Sequence, residues 1–271
     1  MAEAVLSPFD RPDVGFNDLD GWTWVGCYGG YYLQSDLLQS HGFEHGFFTR
    51  LWQGRGPDEL AGYISAGISV HRPQQVHGSE ILNADQATAP PWPDADGLIS
   101  SRGSQSLWVC GADCTPVLLA DPASGHVAAC HAGWRGVAAR ILVSAVSKLE
   151  QRGARREQLI VAMGPAVSGA NYQVGRDVVE RISASLGHGT DWSALISAGV
   201  VLEDPQPDRY RLDLRVAARE QLVQSGLQPE SISHCPLCTV EEDALFHSWR
   251  RDQVKAVQWS GIVSQVADAR I

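Results

Sequence analysis

The strongest constraint on the fold is a turn between two apolar stretches in the middle of the chain. Val117 to Ala120 and Val127 to Cys130 are apolar runs, and residues 121–125 between them read Asp-Pro-Ala-Ser-Gly. Proline fixes φ and glycine accepts positive φ, so this segment has the composition of a tight turn. Two short apolar runs joined by such a turn predict an antiparallel hairpin.

This hairpin brings two reactive side chains together. If Ala120 faces Gly125 or His126 across the turn, then Cys114 faces residue 131 or 132, because the strands run antiparallel. We therefore expect Cys114 and His131 side by side at the open end of the hairpin. A thiol and an imidazole placed in this way serve either as metal ligands or as a nucleophile–base pair.

A third ligand is available upstream, in the stretch Gln74-Gln-Val-His-Gly78. Gly78 permits close backbone approach, and His77 beside it is expected to be accessible. Three protein ligands leave one tetrahedral position open, which is the arrangement of a catalytic zinc site. The alternative is that Cys114 is a small buried hydrophobe and that both histidines are satisfied locally.

A glycine-flanked segment, Gly133-Trp-Arg-Gly136, precedes a helix that is predicted to begin near Val137. A helix N-terminus attracts anions such as phosphate, and Arg135 would reinforce that attraction. The alternative is a plain tight turn with a packing tryptophan.

The other periodic segments predict an α+β fold of mixed sheets flanked by helices, in a single domain. Apolar spacing predicts helices over 137–149, 174–182 and 214–222, and a buried strand over 159–163. Within that domain we divide the chain into an N-terminal extension, residues 1–40, and a catalytic region, residues 41–271.

Composition narrows the function. The chain of 271 residues has 21 Lys+Arg against 31 Asp+Glu, a net charge of −10, which argues against nucleic acid as a partner. The sequence lacks both a signal-peptide pattern and an apolar run long enough to span a bilayer, so we expect a cytoplasmic protein with no membrane partner. The six cysteines are then expected to be reduced thiols. The single CxxC, residues 235–238, lacks the second pair that a zinc ribbon requires.

Short motifs distributed from about residue 45 to 252 suggest a family. They are His45-Gly-Phe-Phe-Thr-Arg50, Gln75-Val-His-Gly78, Ala95-Asp-Gly-Leu98, Ala112-Asp-Cys-Thr-Pro116, His131-Ala-Gly-Trp-Arg-Gly136, Gly164-Pro165, Tyr172-Gln-Val-Gly175, Leu212-Asp-Leu214, Cys238-Thr239 and Phe246-His-Ser-Trp-Arg-Arg-Asp252. Together they resemble the YfiH-type laccase-domain family, whose members are also labelled polyphenol oxidase or purine nucleoside phosphorylase. One departure is that His247 and Trp249 stand where that family usually has Phe and Tyr.

The resemblance implies a layered sandwich of mixed β-sheets flanked by helices. It also implies that His77, Cys114 and His131 bind one zinc ion. The implied activity is phosphorolysis of adenosine, inosine, guanosine or methylthioadenosine, together with deamination of adenosine. The expected partners are thus a purine nucleoside and phosphate.

Further roles follow as hypotheses. Zinc would lower the pKa of a bound water towards ~7, and the hydroxide would displace ammonia from C6 of adenosine. Arg50, Arg135 or Arg250 would hold phosphate. The catalytic candidates are Cys114, Asp113 and Arg135, and the substrate-binding candidates are Arg50, Gln75 and Arg250. Asp113 would either transfer a proton beside Cys114 or make a structural hydrogen bond.

Three other functions stay open. A copper-dependent polyphenol oxidase is one, because copper also binds N/S sites, although multicopper centres need close-spaced histidines and the chain has no His-X-His. The second is an amidase that acts on a cell-wall peptide precursor, with Cys114 as nucleophile or with zinc. The third is a metal-stabilised binding module. We expect a monomer, although the sequence does not fix the oligomeric state.

Overall fold

The protein is described from a computed structural model over residues 19–27 and 30–266. This part of the chain contains fifteen strands, eight α-helices and five 3-10 helices. The strands are β1 (Trp22–Cys27), β2 (Gly30–Ser35), β3 (His45–Phe48), β4 (Ser69–His71), β5 (Ile81–Asn83), β6 (Gly97–Ile99), β7 (Gln105–Gly111), β8 (Thr115–Ala120), β9 (Val127–Ala132), β10 (Ile160–Met163), β11 (Gln173–Gly175), β12 (Val201–Glu203), β13 (Arg209–Leu212), β14 (Ile232–His234) and β15 (Gln258–Val263).

The helices are short and lie between the strands. The α-helices are α1 (Asp36–Ser40), α2 (Pro57–Ile64), α3 (Trp134–Ala138), α4 (Ile141–Glu150), α5 (Arg176–Ser185), α6 (Ser193–Ser197), α7 (Leu214–Gln224) and α8 (Trp249–Asp252). The 3-10 helices are Arg50–Trp52, Ala84–Gln86, Arg156–Gln158, Gly169–Asn171 and Pro229–Ser231. None of the helices in the described ranges is long and apolar enough to cross a membrane.

Three sheets organise the domain. The first has the order β1-β2-β3-β15-β7-β4, the second β14-β10-β8-β9-β6-β5, and the third β11-β13-β12. Most neighbours are antiparallel, but β4–β7, β5–β6 and β10–β14 are parallel. The prediction of mixed sheets in one α+β domain is therefore confirmed.

The two six-stranded sheets pack face to face, and strand β8 shows how. Leu118 and Ala120 belong to the core between the sheets, whereas Val117 and Leu119 belong to the core under helices α4, α5 and α7. Alternate residues of a strand point to opposite faces, so a strand covered on both sides is apolar throughout. This double burial explains why residues 117–120 read as a continuous apolar run.

The described part of the predicted N-terminal extension joins the first sheet. Strands β1 and β2 pair along their length, and β2 continues the sheet beside β3. The ring of Trp22 packs on that of Phe47, with centroids 5.4 Å apart. Residues 1–18 lie outside the described residues, and the division of the chain at residue 40 stays a prediction.

The predicted hairpin is present as β8 and β9, but its register is shifted. Ala120 pairs with Val127 rather than with Gly125 or His126. The reason is the turn, because the Asp121 N–H donates to the His126 carbonyl over 2.9 Å and the loop becomes longer. Cys114 therefore lies just before the first residue of β8 that pairs with β9. The residue predicted to face Cys114 was wrong by one or two positions.

The helix predicted to begin near Val137 is two helices. Helix α3 already starts at Trp134, and α4 starts at Ile141 after a break at Arg140, whose φ is +61°. The Arg140 guanidinium donates to the Ser185 carbonyl on α5 over 2.6 Å, which holds this break against a neighbouring helix. The helix predicted over 214–222 is confirmed as α7, and the one over 174–182 as α5, with Val174 in a strand instead.

Candidate metal centre

Three side chains from distant parts of the chain converge at one point. The potential ligand atoms of His77, Cys114 and His131 all lie within 4.8 Å of one another. The two imidazole rings stand almost perpendicular, at 88°, with centroids 4.9 Å apart. His131 is buried, Cys114 is half-buried and His77 is exposed, so the group opens to solvent on one side. The convergence predicted for Cys114 and His131 is thus present despite the shifted register.

The fold places each of these residues at an element end. Cys114 immediately precedes β8, His131 lies near the end of β9, and His77 comes from the loop between β4 and β5. His77 has a φ of +59°, a left-handed conformation that non-glycine residues adopt at a cost. Such a backbone persists only where surrounding contacts hold it.

Asp96 provides those contacts. Its carboxylate, fully buried, accepts the backbone N–H groups of Val76 at 3.2 Å, His77 at 3.0 Å and Gly78 at 2.6 Å. Burial would raise the pKa of Asp96, but hydrogen bonds from His131 and from this loop lower it. A single carboxylate thus fixes the loop that carries His77.

The same carboxylate orients His131. Its Oδ1 accepts from Nδ1 of His131 over 2.8 Å, which leaves Nε2 to face the triad. Metal-binding histidines commonly donate their other ring nitrogen to a carboxylate in this way. No role was predicted for Asp96, although it lies within the motif Ala95-Asp-Gly-Leu98. The only feature of the sequence that could have indicated a role for this residue is its position directly before a glycine that begins a strand.

The electrostatics of the triad favour a thiolate. Burial would raise the pKa of the Cys114 thiol, but hydrogen bonds from His131 and His77 outweigh it and lower the pKa to about 6. Burial would likewise lower the pKa of His131, whereas Asp96 and Cys114 raise it to about 9. Metals and electrophiles both react with the thiolate form, so this thiol is prepared for either.

The space beside the triad is kept clear by a glycine. A Cβ added at Gly133 would lie 3.0 Å from Sγ of Cys114 and 3.5 Å from Cδ2 of His77. The donor set of two imidazoles and one thiolate suits zinc, and also copper. The residues present therefore fit one metal ion with an open position.

Two other predicted site residues are hydrogen-bonded to the protein itself. Asp113 accepts from the Thr239 hydroxyl at 2.7 Å and from the Arg250 N–H at 2.6 Å. The Gln75 side chain both donates to and accepts from the backbone of Cys110, each over 2.7 Å. Asp113 thus makes structural hydrogen bonds, and its role in proton transfer stays a prediction. Gln75 ties its loop to β7.

The three predicted phosphate-binding arginines have different surroundings. Arg50 donates to the Asp243 carbonyl over 2.6 Å, and Arg250 donates to the Gln173 carbonyl over 3.0 Å. Arg135 is exposed, with its guanidinium carbon 4.4 Å from the ring centroid of Trp134. Among these arginines only Arg135 borders the open cleft of about 670 Å³ that begins at His77.

No role was predicted for Tyr172, in the motif Tyr172-Gln-Val-Gly175, but it has an unusual environment. Burial raises the pKa of its phenol to about 12, and the neighbouring charge of Cys114 raises it as well. Arg250 lies over its ring at 4.8 Å. Tyr172 therefore keeps its phenol proton at neutral pH.

The other cysteine pair does not form a comparable group. Cys235 and Cys238 are both buried, and Sγ of Cys238 accepts from the Ser168 N–H at 3.3 Å. Within residues 19–27 and 30–266, His77, Cys114 and His131 are the one set of three potential ligands.

Fold and site together define a sandwich of mixed sheets with a His–Cys–His centre that can bind one metal ion. A sequence model of the family described as multi-copper polyphenol oxidoreductase laccase matches residues 59–265. The chain belongs to this laccase-domain family, as the motifs predicted.

Relatives extend the similarity over almost the whole chain. A purine nucleoside phosphorylase of Synechocystis sp. is 38% identical over 261 residues, which is 90% of this chain and 98% of that protein. The crystal structure of YlmD from Geobacillus stearothermophilus superposes with a TM-score of 0.76 at 26% identity, covering 89% of this chain and 98% of that one. The hypothetical protein YfiH of Bacillus licheniformis gives a TM-score of 0.74 at 25% identity, with 86% and 96% covered.

Proposed function

We propose that this protein is a zinc-dependent purine nucleoside phosphorylase that also deaminates adenosine. Its substrates are adenosine, inosine, guanosine and methylthioadenosine, with phosphate as co-substrate. The observation that carries the proposal is the triad of His77, Cys114 and His131 within 4.8 Å, one of whose members, His77, also lines a cleft. The relative named a purine nucleoside phosphorylase supports the choice of substrate. The proposal includes a cytoplasmic location and a monomeric state.

Zinc held by the three ligands would supply a Lewis acid that lowers the pKa of water and polarises a substrate atom. Around it, Asp96 holds His131 in the tautomer whose Nε2 faces the triad. Tyr172 offers a proton-bearing phenol near the same point. Arg135 at the cleft supplies positive charge for phosphate. Arg50, Arg250 and Gln75 are then proposed to shape the substrate site through the segments to which they are bonded.

Two product sets separate the two activities. Phosphorolysis transfers the ribosyl group from the base to phosphate, so adenosine gives adenine and ribose 1-phosphate. Deamination replaces the C6 amino group by the oxygen of water, so adenosine gives inosine and ammonia. Only the first reaction depends on phosphate concentration.

The test is to incubate zinc-loaded protein with adenosine, with and without phosphate, and to separate the products by chromatography. The control pair is Cys114→Ala and Cys130→Ala, which remove thiols at the end and in the middle of the same hairpin. Turnover by the wild type and by Cys130→Ala, but not by Cys114→Ala, supports the proposal. A folded, zinc-loaded protein without turnover of any of the four nucleosides would contradict it.

A second function is favoured by one specific observation. Cys114, His131 and Asp96 are linked in series, with a thiol of lowered pKa and an Asp–His bond of 2.8 Å. This is the order of groups in a cysteine hydrolase, where the base is itself oriented by a third residue. The same residues would thus support an amidase that acts on a cell-wall peptide precursor.

Alkylation separates this alternative from the first. Iodoacetamide should modify Cys114 rapidly after a chelator treatment and slowly in zinc-loaded protein, because a metal-bound thiolate is protected. Rapid modification that is unaffected by zinc, together with cleavage of a γ-glutamyl or dipeptide amide, would favour the amidase. A copper-dependent polyphenol oxidase is a third possibility that the family description raises, and oxygen uptake with a phenol after copper loading tests it.

A further inference from the structure

Two arginines from different helices meet on one tryptophan beside the triad. Arg135 lies on α3, and Arg181 lies on α5, outside the motifs that identify the family. Their guanidinium carbons are 4.4 Å and 5.7 Å from the ring centroid of Trp134. Both side chains line the cleft of about 670 Å³ that also contains His77 and Gly78. Two positive charges thus line the cleft to which His77 of the triad also contributes.

Both guanidinium groups are available to a ligand. Other arginines of α5 and of the nearby break are engaged, since Arg176 pairs with Glu180 at 2.9 Å and Arg140 donates to the Ser185 carbonyl. In contrast, neither Arg135 nor Arg181 makes a side-chain hydrogen bond or an ion pair with any residue of the described ranges. Each keeps five N–H donors for a ligand, and the indole restricts where those donors point.

The negative charge of the whole protein bears on what these two arginines can bind. With a net charge of −10, the protein as a whole repels anions. An anionic ligand must therefore be attracted by a local concentration of positive charge. A guanidinium group matches the oxygen geometry of a phosphate better than that of a spherical anion.

We infer that the cleft beside Trp134 is a phosphate-binding subsite in which Arg181 acts together with Arg135. The inference rests on the proposed function for its ligand, because inorganic phosphate is the co-substrate of phosphorolysis. The phosphate group of a nucleoside 5′-monophosphate has the same chemistry and is the other source. Arg181 is the new element, since it binds phosphate from a helix that carries no residue of the metal centre.

Direct binding tests the subsite without requiring turnover. Inorganic phosphate is titrated into zinc-loaded wild type, Arg181→Gln and Arg176→Gln, and binding is followed by calorimetry. Arg176→Gln is the matched control, because it removes the same charge from the same helix at an arginine already paired with Glu180. Loss of one guanidinium–phosphate contact should weaken binding about tenfold or more in Arg181→Gln, with a far smaller change in the control. Equal affinity in the wild type and Arg181→Gln would overturn the inference.

Two further arms identify the ligand and separate this inference from the proposed function. Adenosine 5′-monophosphate is titrated beside adenosine, and Arg181-dependent binding of the nucleotide without binding of inorganic phosphate assigns the subsite to a substrate phosphate. In steady-state kinetics, Arg181→Gln should raise the KM for phosphate about tenfold and leave the KM for adenosine nearly unchanged. Phosphorolysis that is insensitive to Arg181→Gln would overturn the subsite alone. Phosphate binding that requires Arg181, without any release of base, would support the subsite and overturn the phosphorylase.

Discussion

The two ends of the hairpin β8–β9 are built from similar polar residues but serve different purposes. At the closed end, the buried Asp121 accepts the N–H groups of Ala123 and Ser124, both at 3.2 Å, and its bonds close the turn. At the open end, the buried Asp96 accepts from His131 and from a loop outside the hairpin. The closed end thus satisfies its polar groups locally, whereas the open end brings His and Cys side chains to a common point.

The cysteines of the hairpin differ in the same way. Cys130, in the middle of β9, is fully buried, and burial raises the pKa of its thiol to about 12. Cys114, at the open end, has a pKa lowered to about 6, because the hydrogen bonds from the two histidines outweigh burial. The two thiols therefore differ because hydrogen bonds from histidines oppose the effect of burial at Cys114, whereas burial acts without them at Cys130.

The largest contrast is expected from removing one thiol at each position. Cys114→Ala should lower zinc affinity more than about 100-fold, since losing a ligand exceeds the 10–100-fold effect of losing a residue that supports one. Cys130→Ala should keep full zinc content and lose about 1 kcal/mol of stability from its small cavity. Zinc content is measured by metal analysis after gel filtration, and stability is measured by urea unfolding. Equal zinc content in the two variants would show that Cys114 does not bind zinc.

A smaller contrast is expected from the two aspartates. Asp96→Asn should reduce zinc affinity about 10–100-fold, because the amide holds His131 less well and cannot stabilise it by charge. Asp121→Asn should leave zinc affinity unchanged and lower the free energy of unfolding by about 1–3 kcal/mol. A competing chelator gives the affinities. If Asp121→Asn weakens zinc binding as much as Asp96→Asn, the two ends are not independent.

The pH dependence of alkylation sharpens the comparison of the thiols. In metal-free protein the pKa of Cys114 is lowered to about 6, so the thiolate persists above that pH and is lost below it. The rate of reaction with iodoacetamide should therefore fall about tenfold per pH unit below pH 6 and level off above it. In urea-unfolded protein the midpoint should rise to the ordinary value of about 8.5. Mass spectrometry of the labelled peptides should show Cys130 unmodified in the folded state. An alkylation midpoint near ~8.5 for Cys114 in the folded, metal-free protein would refute its lowered pKa.

The smallest expected effect comes from filling the space at the open end. Gly133→Ala would place a methyl group 3.0 Å from Sγ of Cys114, so zinc affinity should fall about fivefold while the fold is retained, since mild overpacking costs ~1 kcal/mol. Gly62→Ala in α2 is the control, because nothing lies within 4 Å of its added Cβ. Unchanged zinc affinity in Gly133→Ala would show that the triad can shift to make room for the methyl group without weakening zinc binding.

Local patterns predicted much of the scaffold, because it depends on turn chemistry and periodicity. The segment 121–125 predicted the hairpin, and with it the proximity of Cys114 and His131. The register was missed by one or two residues, because the bond from Asp121 to His126 adds loop length that composition does not reveal. The break at Arg140 was missed for a similar reason, since the contact that holds it comes from α5, 45 residues away.

The residues that surround the ligands were harder to predict, because their partners are distant in sequence. The bonds of Asp96 reach residues 76–78 and 131, and those of Asp113 reach residues 239 and 250. A polar side chain near the triad reads as a candidate for chemistry, yet Gln75 donates to and accepts from the backbone of Cys110. Which polar groups remain free is decided by tertiary contacts alone.

The bonds made by Asp96 also limit how this centre can be transferred. Copying His77, Cys114 and His131 onto another hairpin would reproduce the donor atoms but not the left-handed backbone at His77, which the carboxylate holds in place. A transplanted centre would need the 76–78 loop and Asp96 as a single unit with the hairpin end. The smallest portable form of this site is therefore four side chains and one loop conformation, rather than a three-residue motif.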